Sequence, residues 1–219
     1  MERPATDPVI GLRQTRDVVL VHGLWTPAAV MLPIGRRLAR CGYDPHYFRY
    51  RSRGDFPANA AALERFIERL GGPSHYVGHS LGGLLLLRVL RARVDMPVGR
   101  TVFIASPLGG AESARRLART APGRFLLGRA AEVLSAGIEP CWDRREPLGL
   151  IVGMGKLGLG RMLGTLEGNN DGVVREAETR IAGSSETFVI GCAHTPLLFS
   201  RRVAEAVGRF LGTGRFTES

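Results

Sequence analysis

The chain is predicted to adopt an α/β fold, a mostly parallel, doubly wound sheet flanked by helices. Three observations point there. Short apolar runs rich in β-branched residues recur along the chain, such as Val18-Val19-Leu20-Val21 and Thr101-Val102-Phe103-Ile104-Ala105. Runs of this length that are apolar throughout suit strands buried on both faces. Helix-length segments separate them, and strands alternating with helices imply right-handed crossovers within a parallel sheet. No repeat of fixed period and no Pro- or Ser-rich linker divides the 219 residues. One domain over residues 1–219 is therefore expected, with 1–16 and 213–219 as tails.

The elements follow in order. Val18 to Val21 reads as the first strand and ends at His22-Gly23. Thr26-Pro27 offers an N-cap followed by proline at the first helical position, opening a helix toward Cys41-Gly42. Tyr47-Phe48-Arg49-Tyr50 reads as the next strand. Asn59 is placed to cap a helix over Ala60 to Leu70, stopped by Gly71-Gly72-Pro73. Tyr76-Val77 leads into Gly78, and Leu81 to Arg91 is apolar over so wide a face that its helix should be largely buried. After the strand at Thr101 to Ala105, helical stretches run through Arg129, and the span 108–146 could form a small cap. Leu148 to Val152 and Thr187 to Ile190 read as later strands, and the last helix as Pro196 to Phe210. Gly149 to Gly164, dense in glycine, carries the weakest pattern.

Composition excludes several classes. Hydrophobic residues make up 44% and charged residues 23%, ordinary globular usage that argues against disorder and fibrous architecture. No run of about 18 apolar residues offers a membrane span. The first fifteen residues mix Glu2, Arg3, Asp7 and Arg13 with two prolines and lack the apolar core of a secretory signal, so a cytoplasmic protein is expected. Cys41, Cys141 and Cys192 have neither disulfide nor zinc spacing. The net charge of +10 comes almost wholly from arginine, since Lys156 is the only lysine. Those arginines are spread along the chain without a reading motif or interleaved aromatics, which disfavours nucleic acid and leaves open contact with a lipid surface. Nothing in the sequence speaks to oligomeric state.

Gly78-His79-Ser80-Leu81-Gly82 matches G-x-S-x-G between a strand and a helix. A serine at so tight a turn needs glycine neighbours, because flanking side chains would strike the adjoining strand and helix. The turn lifts the hydroxyl above the sheet, and the helix N-terminus presents amides to a developing oxyanion. His22-Gly23-Leu24 after the first strand should open at the same edge, where ligands collect in doubly wound sheets. The backbone amides of Leu81 and Leu24 would then form an oxyanion hole, flanked by Trp25. His22 and His79 read as structural neighbours rather than bases.

A serine hydroxyl needs an imidazole to take its proton, and the imidazole needs a carboxylate to set its tautomer. Of five histidines, His194 alone follows the final predicted strand. The acid should lie between Ser80 and His194 in chain order. Asp171, in Gly168-Asn169-Asn170-Asp171-Gly172-Val173-Val174, stands first, although Asn, Asp and Gly also favour such turns on their own account. Asp143 and Glu176 come next.

Together these residues resemble the α/β-hydrolase superfamily, and within it small bacterial lipases and esterases. The elbow Gly78-His79-Ser80-Leu81-Gly82-Gly83, the histidine loop His194-Thr195-Pro196-Leu197-Leu198-Phe199-Ser200 and the acid turn Asp171-Gly172-Val173-Val174 carry the likeness, which extends from Asp17 to Phe210. The resemblance implies a Ser80–His194–Asp171 triad cleaving carboxylic esters through an acyl-enzyme, with no metal and no cofactor. It also implies a small-molecule ester substrate, with Trp25, Leu108, Leu197 and Leu198 beside Leu24 in an apolar acyl pocket. Acyl transfer or thioester cleavage would use the same triad. A binding protein on the same scaffold would have no need of all three side chains.

Overall fold

A computed structural model of the chain describes residues 15–155 and 166–217. Six strands form one sheet: β1 (Asp17–Val21), β2 (Asp44–Phe48), β3 (Ser74–His79), β4 (Val98–Ile104), β5 (Leu148–Gly153) and β6 (Glu186–Ile190). Their order is β2-β1-β3-β4-β5-β6 and every pairing is parallel. The helices are α1 (Leu32–Arg40), α2 (Phe56–Glu68), α3 (Leu81–Ala92), α4 (Glu112–Ala118), α5 (Ala121–Leu127), α6 (Ala131–Ala136) and α7 (Arg201–Thr213).

Side chains alternate between two cores, as the two-residue period of a strand requires. Val18 and Leu20 of β1 join Ile34 and Leu38 of α1 and Val203, Val207 and Phe210 of α7. Val19 and Val21 face the other way, onto Leu63 and Ile67 of α2 and the leucines of α3. Helix α3 is buried nearly all round; Leu81 to Leu87, Val89 and Leu90 are all inside. Among the described residues no helix is long and apolar enough to cross a membrane.

The chain winds outward from β1 in one direction to β2 and in the other through β3 to β6. The carboxyl ends of β1 and β3 therefore bound the crevice where strand order reverses. Helices α4 to α6 are inserted between β4 and β5 and pack over that edge: Ala111, Ala114, Leu127 and Leu134 join the core on the α3 side.

Several boundaries differ from the sequence-based expectation. Thr26 does not cap a helix. Its hydroxyl donates to the Gly23 carbonyl at 3.1 Å, a 3₁₀ turn covers Ala28–Met31, and α1 begins only at Leu32 with a proline in its first turn. Helix α2 starts four residues before Ala60, because the Asp55 carboxylate accepts from the Ala58 amide at 2.8 Å; Asn59 instead donates to the Arg51 carbonyl. The final helix is preceded by a 3₁₀ turn at Pro196–Phe199 and is capped by Ser200. Residues 1–14 of the expected N-terminal tail and 156–164 of the glycine-dense segment lie outside the described residues, and Thr15, near the tail's end, is buried.

The C-terminal tail is the clearest correction. Gly214, at φ 81°, ends α7 in the left-handed region and turns the chain back, so that Phe216 is buried. Its ring stacks on Phe210 at 4.7 Å and meets Phe188 of β6 at 5.8 Å. A Cβ on Gly149 of β5 would stand 2.6 Å from the same ring, which is why that strand position is bare. Phe216→Ala should lower stability by about 3 to 5 kcal/mol, read as a lower urea midpoint with unchanged slope.

Candidate active site

Ser80 follows β3 directly and stands at the N-cap position of α3 with φ 53° and ψ −122°. This region is unfavourable for a side-chain-bearing residue, costing on the order of 1–3 kcal/mol. Two more such residues sit at the same edge: Trp25 after β1, with φ 59°, and Ala105 after β4, with φ 47°. The elbow is possible because its neighbours are bare. A Cβ on Gly78 would come within 2.6 Å of the Gly83 backbone, and one on Gly82 within 2.3 Å of the Val21 carbonyl oxygen. Strand β3, helix α3 and strand β1 thus meet backbone to backbone.

The loop after β1 is braced by His22. Its Nδ1–H donates to the Gly23 carbonyl at 2.9 Å, its ring stacks on Tyr50 at 4.4 Å, and the Tyr50 hydroxyl donates to the His22 carbonyl at 2.7 Å. Burial lowers the His22 pKa against the opposing effect of the Gly23 hydrogen bond, and burial raises that of Tyr50. Both groups therefore stay neutral and keep these bonds. Gly23 packs against the elbow so closely that an added Cβ would be 3.0 Å from the Ser80 Cβ. The amides of Leu24 and Leu81 have no hydrogen-bond partner among the described residues. Leu81 is the first residue of α3, so its N–H is one of those a helix start leaves unused.

His194 follows β6, and its Nδ1–H donates to Asp171 Oδ2 at 2.7 Å in a buried pair. The pair is locked by backbone as well: the His194 amide donates to the Asp171 carbonyl at 3.0 Å. The other carboxylate oxygen of Asp171 accepts from the amides of Val173 and Val174, at 2.9 and 2.8 Å. Three donors thus satisfy and fix this buried carboxylate. Asp143 is exposed, and Glu176 is taken up by Asn169 and Arg180; neither bonds to His194.

Ser80 and His194 line one cavity, of about 90 Å³. Their closeness is also clear from His79, the residue before Ser80, whose ring lies 4.8 Å from that of His194. The His79 Nε2–H donates to the His194 carbonyl at 3.3 Å. Burial, reinforced by His194, holds its pKa well below the usual histidine range, so it is neutral and not a competing base. Ser80 Oγ makes no hydrogen bond among the described residues.

The walls of this cavity are apolar and include Leu24, Trp25, Leu117, Leu127, Leu134 and Val174. Leu24 and Trp25 are thus at the expected place. Leu108, Leu197 and Leu198 are not. Leu108 is fully buried in the core on the α3 side, while Leu197 and Leu198 belong to the core on the opposite face of the sheet. Helices α4, α5 and α6 supply the wall those residues were expected to form. The apolar spacing of Ala114 with Leu117 marks an inward face of α4, but it does not tell a cavity wall from a packed core.

The α4–α6 insertion and the turn carrying Asp171 are tied by a buried carboxylate. Glu178 Oε1 accepts from the Glu112 amide at 2.8 Å and from Arg175 Nε at 2.9 Å. Ser113 Oγ donates to the Val173 carbonyl at 2.7 Å. A larger cavity, about 760 Å³, opens at the amino ends of the strands beside Arg16, Tyr43, His75 and Arg100, far from these side chains in the fold. Among the described residues no group of three or more His, Cys, Asp or Glu could hold a metal ion.

A family model described as "Alpha/beta hydrolase family" matches residues 18–206. No curated protein sequence matches the chain. Among solved structures, the mature form of the Bacillus licheniformis lipase BlEst2 superposes with a TM-score of 0.75 at 18% identity, over 95% of this chain and 94% of that one. A pyrethroid hydrolase from Sphingobium faniae JZ-2 gives 0.65 at 16%, over 91% and 98%. The esterase EaEST from Exiguobacterium antarcticum gives 0.66 at 14%, over 90% and 92%.

Proposed function

The chain belongs to the alpha/beta hydrolase family, and from that premise we propose that it is a serine hydrolase of carboxylic esters with apolar acyl groups. One observation carries the reading: the buried 2.7 Å bond from His194 to Asp171 leaves the other edge of the imidazole on the cavity that Ser80 also lines. Asp171 can only accept there, so His194 carries its proton on Nδ1 and has a basic Nε2 to offer the serine. The names of the structural neighbours, a lipase, a pyrethroid hydrolase and an esterase, support ester chemistry on this fold.

In the proposed reaction Nε2 of His194 takes the Ser80 proton as Oγ attacks the ester carbonyl. The oxyanion is held by the unpartnered amides of Leu24 and Leu81, the second at the positive end of α3. His194 then protonates the leaving alcohol, and the acyl chain remains on Ser80 against Leu117, Leu127 and Leu134. Water deprotonated by the same imidazole attacks the acyl carbonyl; the imidazolium then returns that proton to Ser80 Oγ as the acyl–Oγ bond breaks and the acid leaves.

The test is a series of p-nitrophenyl esters of increasing acyl length, run beside labelling with a fluorophosphonate probe. Stoichiometric labelling of Ser80 and faster cleavage of aliphatic than of charged acyl groups are expected. Absence of both labelling and hydrolysis across the series would falsify the reading.

A further inference from the structure

Helix α5 carries Arg124, Phe125 and Leu126 between Gly123 and Leu127. Gly123 and Leu127, four residues apart, share the inward stripe and are buried. The three residues between them face out, which leaves Phe125 74% and Leu126 47% exposed. Two large apolar side chains on the outer face of a short helix reverse the usual pattern.

Trp25 completes the patch. It is 45% exposed, its indole Nε1–H donates to the Leu126 carbonyl at 2.9 Å, and its ring also borders the cavity. Trp25, Phe125 and Leu126 therefore form an exposed apolar lip that joins the loop after β1 to α5 and borders the cavity through Trp25.

The lip is set among arginines. The Arg53 guanidinium lies over the Phe125 ring, 5.1 Å from its centroid, and donates to the Phe125 carbonyl. Arg124 is exposed beside Phe125, and neither Arg53 nor Arg124 has a carboxylate partner among the described residues. Arg129, whose amide bonds the Arg53 carbonyl, is paired with Asp55 at 2.5 Å. An aromatic edge with unneutralised guanidinium groups on a chain of net charge +10 complements one kind of surface: apolar within and anionic at its rim.

We propose that Trp25, Phe125 and Leu126, with Arg53 and Arg124, dock the protein onto an anionic phospholipid surface with the cavity mouth facing the bilayer. Tryptophan and phenylalanine insert at headgroup depth, where a ring can be buried while the indole N–H keeps a polar partner. The arginines meet the lipid phosphates. Docking is a binding event and holds whether or not Ser80 is the nucleophile.

The experiment is cosedimentation of the full chain with vesicles of equal parts phosphatidylglycerol and phosphatidylcholine, against phosphatidylcholine alone. Tryptophan emission is followed in parallel. The chain has two tryptophans and Trp142 is 4% exposed, so a blue shift reports Trp25. Binding to the anionic vesicles, weakened by salt, with a blue shift is expected. Phe125→Asp should reduce it by roughly tenfold or more, and Arg53→Gln or Arg124→Gln by about fivefold each. Phe125 does not line the cavity, so Phe125→Asp should cleave a soluble short-chain ester at the unaltered rate. Equal binding to both vesicle types, or binding indifferent to Phe125→Asp, overturns the proposal. So does a concentration-dependent dimer, formed without lipid and broken by Phe125→Asp, which would give the lip to a second copy of the chain.

Discussion

Ser80→Ala is expected to reduce ester turnover by a factor on the order of 10⁴ to 10⁶ and to abolish fluorophosphonate labelling, with the unfolding midpoint unchanged. The contrast between activity and stability follows from the geometry. Alanine retains the Cβ that packs beside Gly23 and suffers the same unfavourable φ of 53°. Only Oγ is removed, and it bonds to nothing among the described residues. The fold loses no interaction, while the proposed reaction loses its attacking atom. Residual catalysis would come from the Leu24 and Leu81 amides polarising the carbonyl toward water. Retention of labelling in Ser80→Ala would remove that serine as the nucleophile.

Asp171→Asn should reduce turnover by about 10⁴-fold with folding preserved. The asparagine carbonyl can still accept from the amides of Val173 and Val174, which hold the turn. Its NH₂ group would then face His194 Nδ1 at the position where a carboxylate oxygen now accepts at 2.7 Å. Two donors cannot share that contact, so the imidazole shifts its proton to Nε2 and presents Ser80 with a donor in place of a base. Steady-state kinetics should show the loss in kcat with little change in KM, because Asp171 does not line the cavity. Near-normal turnover would separate the Asp171–His194 bond from the chemistry.

Both effects depend on side chains distant in sequence that meet at the reversal of strand order. Ser80 extends β3 into α3, His194 follows β6, and Asp171 is reached beyond β5. The serine and histidine positions were legible because a glycine-flanked elbow and a strand-terminal loop leave local marks. Asp171 was harder to distinguish from Asp143 and Glu176, since Asn-Asp-Gly runs form turns anywhere. What separates it is tertiary: the turn is anchored by its own amides and by the His194 backbone, which bring one carboxylate oxygen to Nδ1.

The sequence by itself determined the alternation of strands and helices, the nearly all-buried α3, the elbow and the order of the candidate triad, because local periodicity and steric demand express these directly. Tertiary structure alone decided which apolar side chains see the cavity. Leu108, Leu197 and Leu198 are as hydrophobic as Leu117, Leu127 and Leu134, yet the first three are buried away from the cavity, while the second three border it, Leu127 and Leu134 doing so from within the core on the α3 side. Hydrophobicity records the preference to leave water and carries no direction. Direction comes from how α4 to α6 lie across the sheet edge and from how the 3₁₀ turn after His194 points its leucines, both set by packing between distant segments. Phe216 teaches the same lesson: one ring in an otherwise exposed segment with the composition of a tail is buried because Gly149, far away in sequence, leaves room for it.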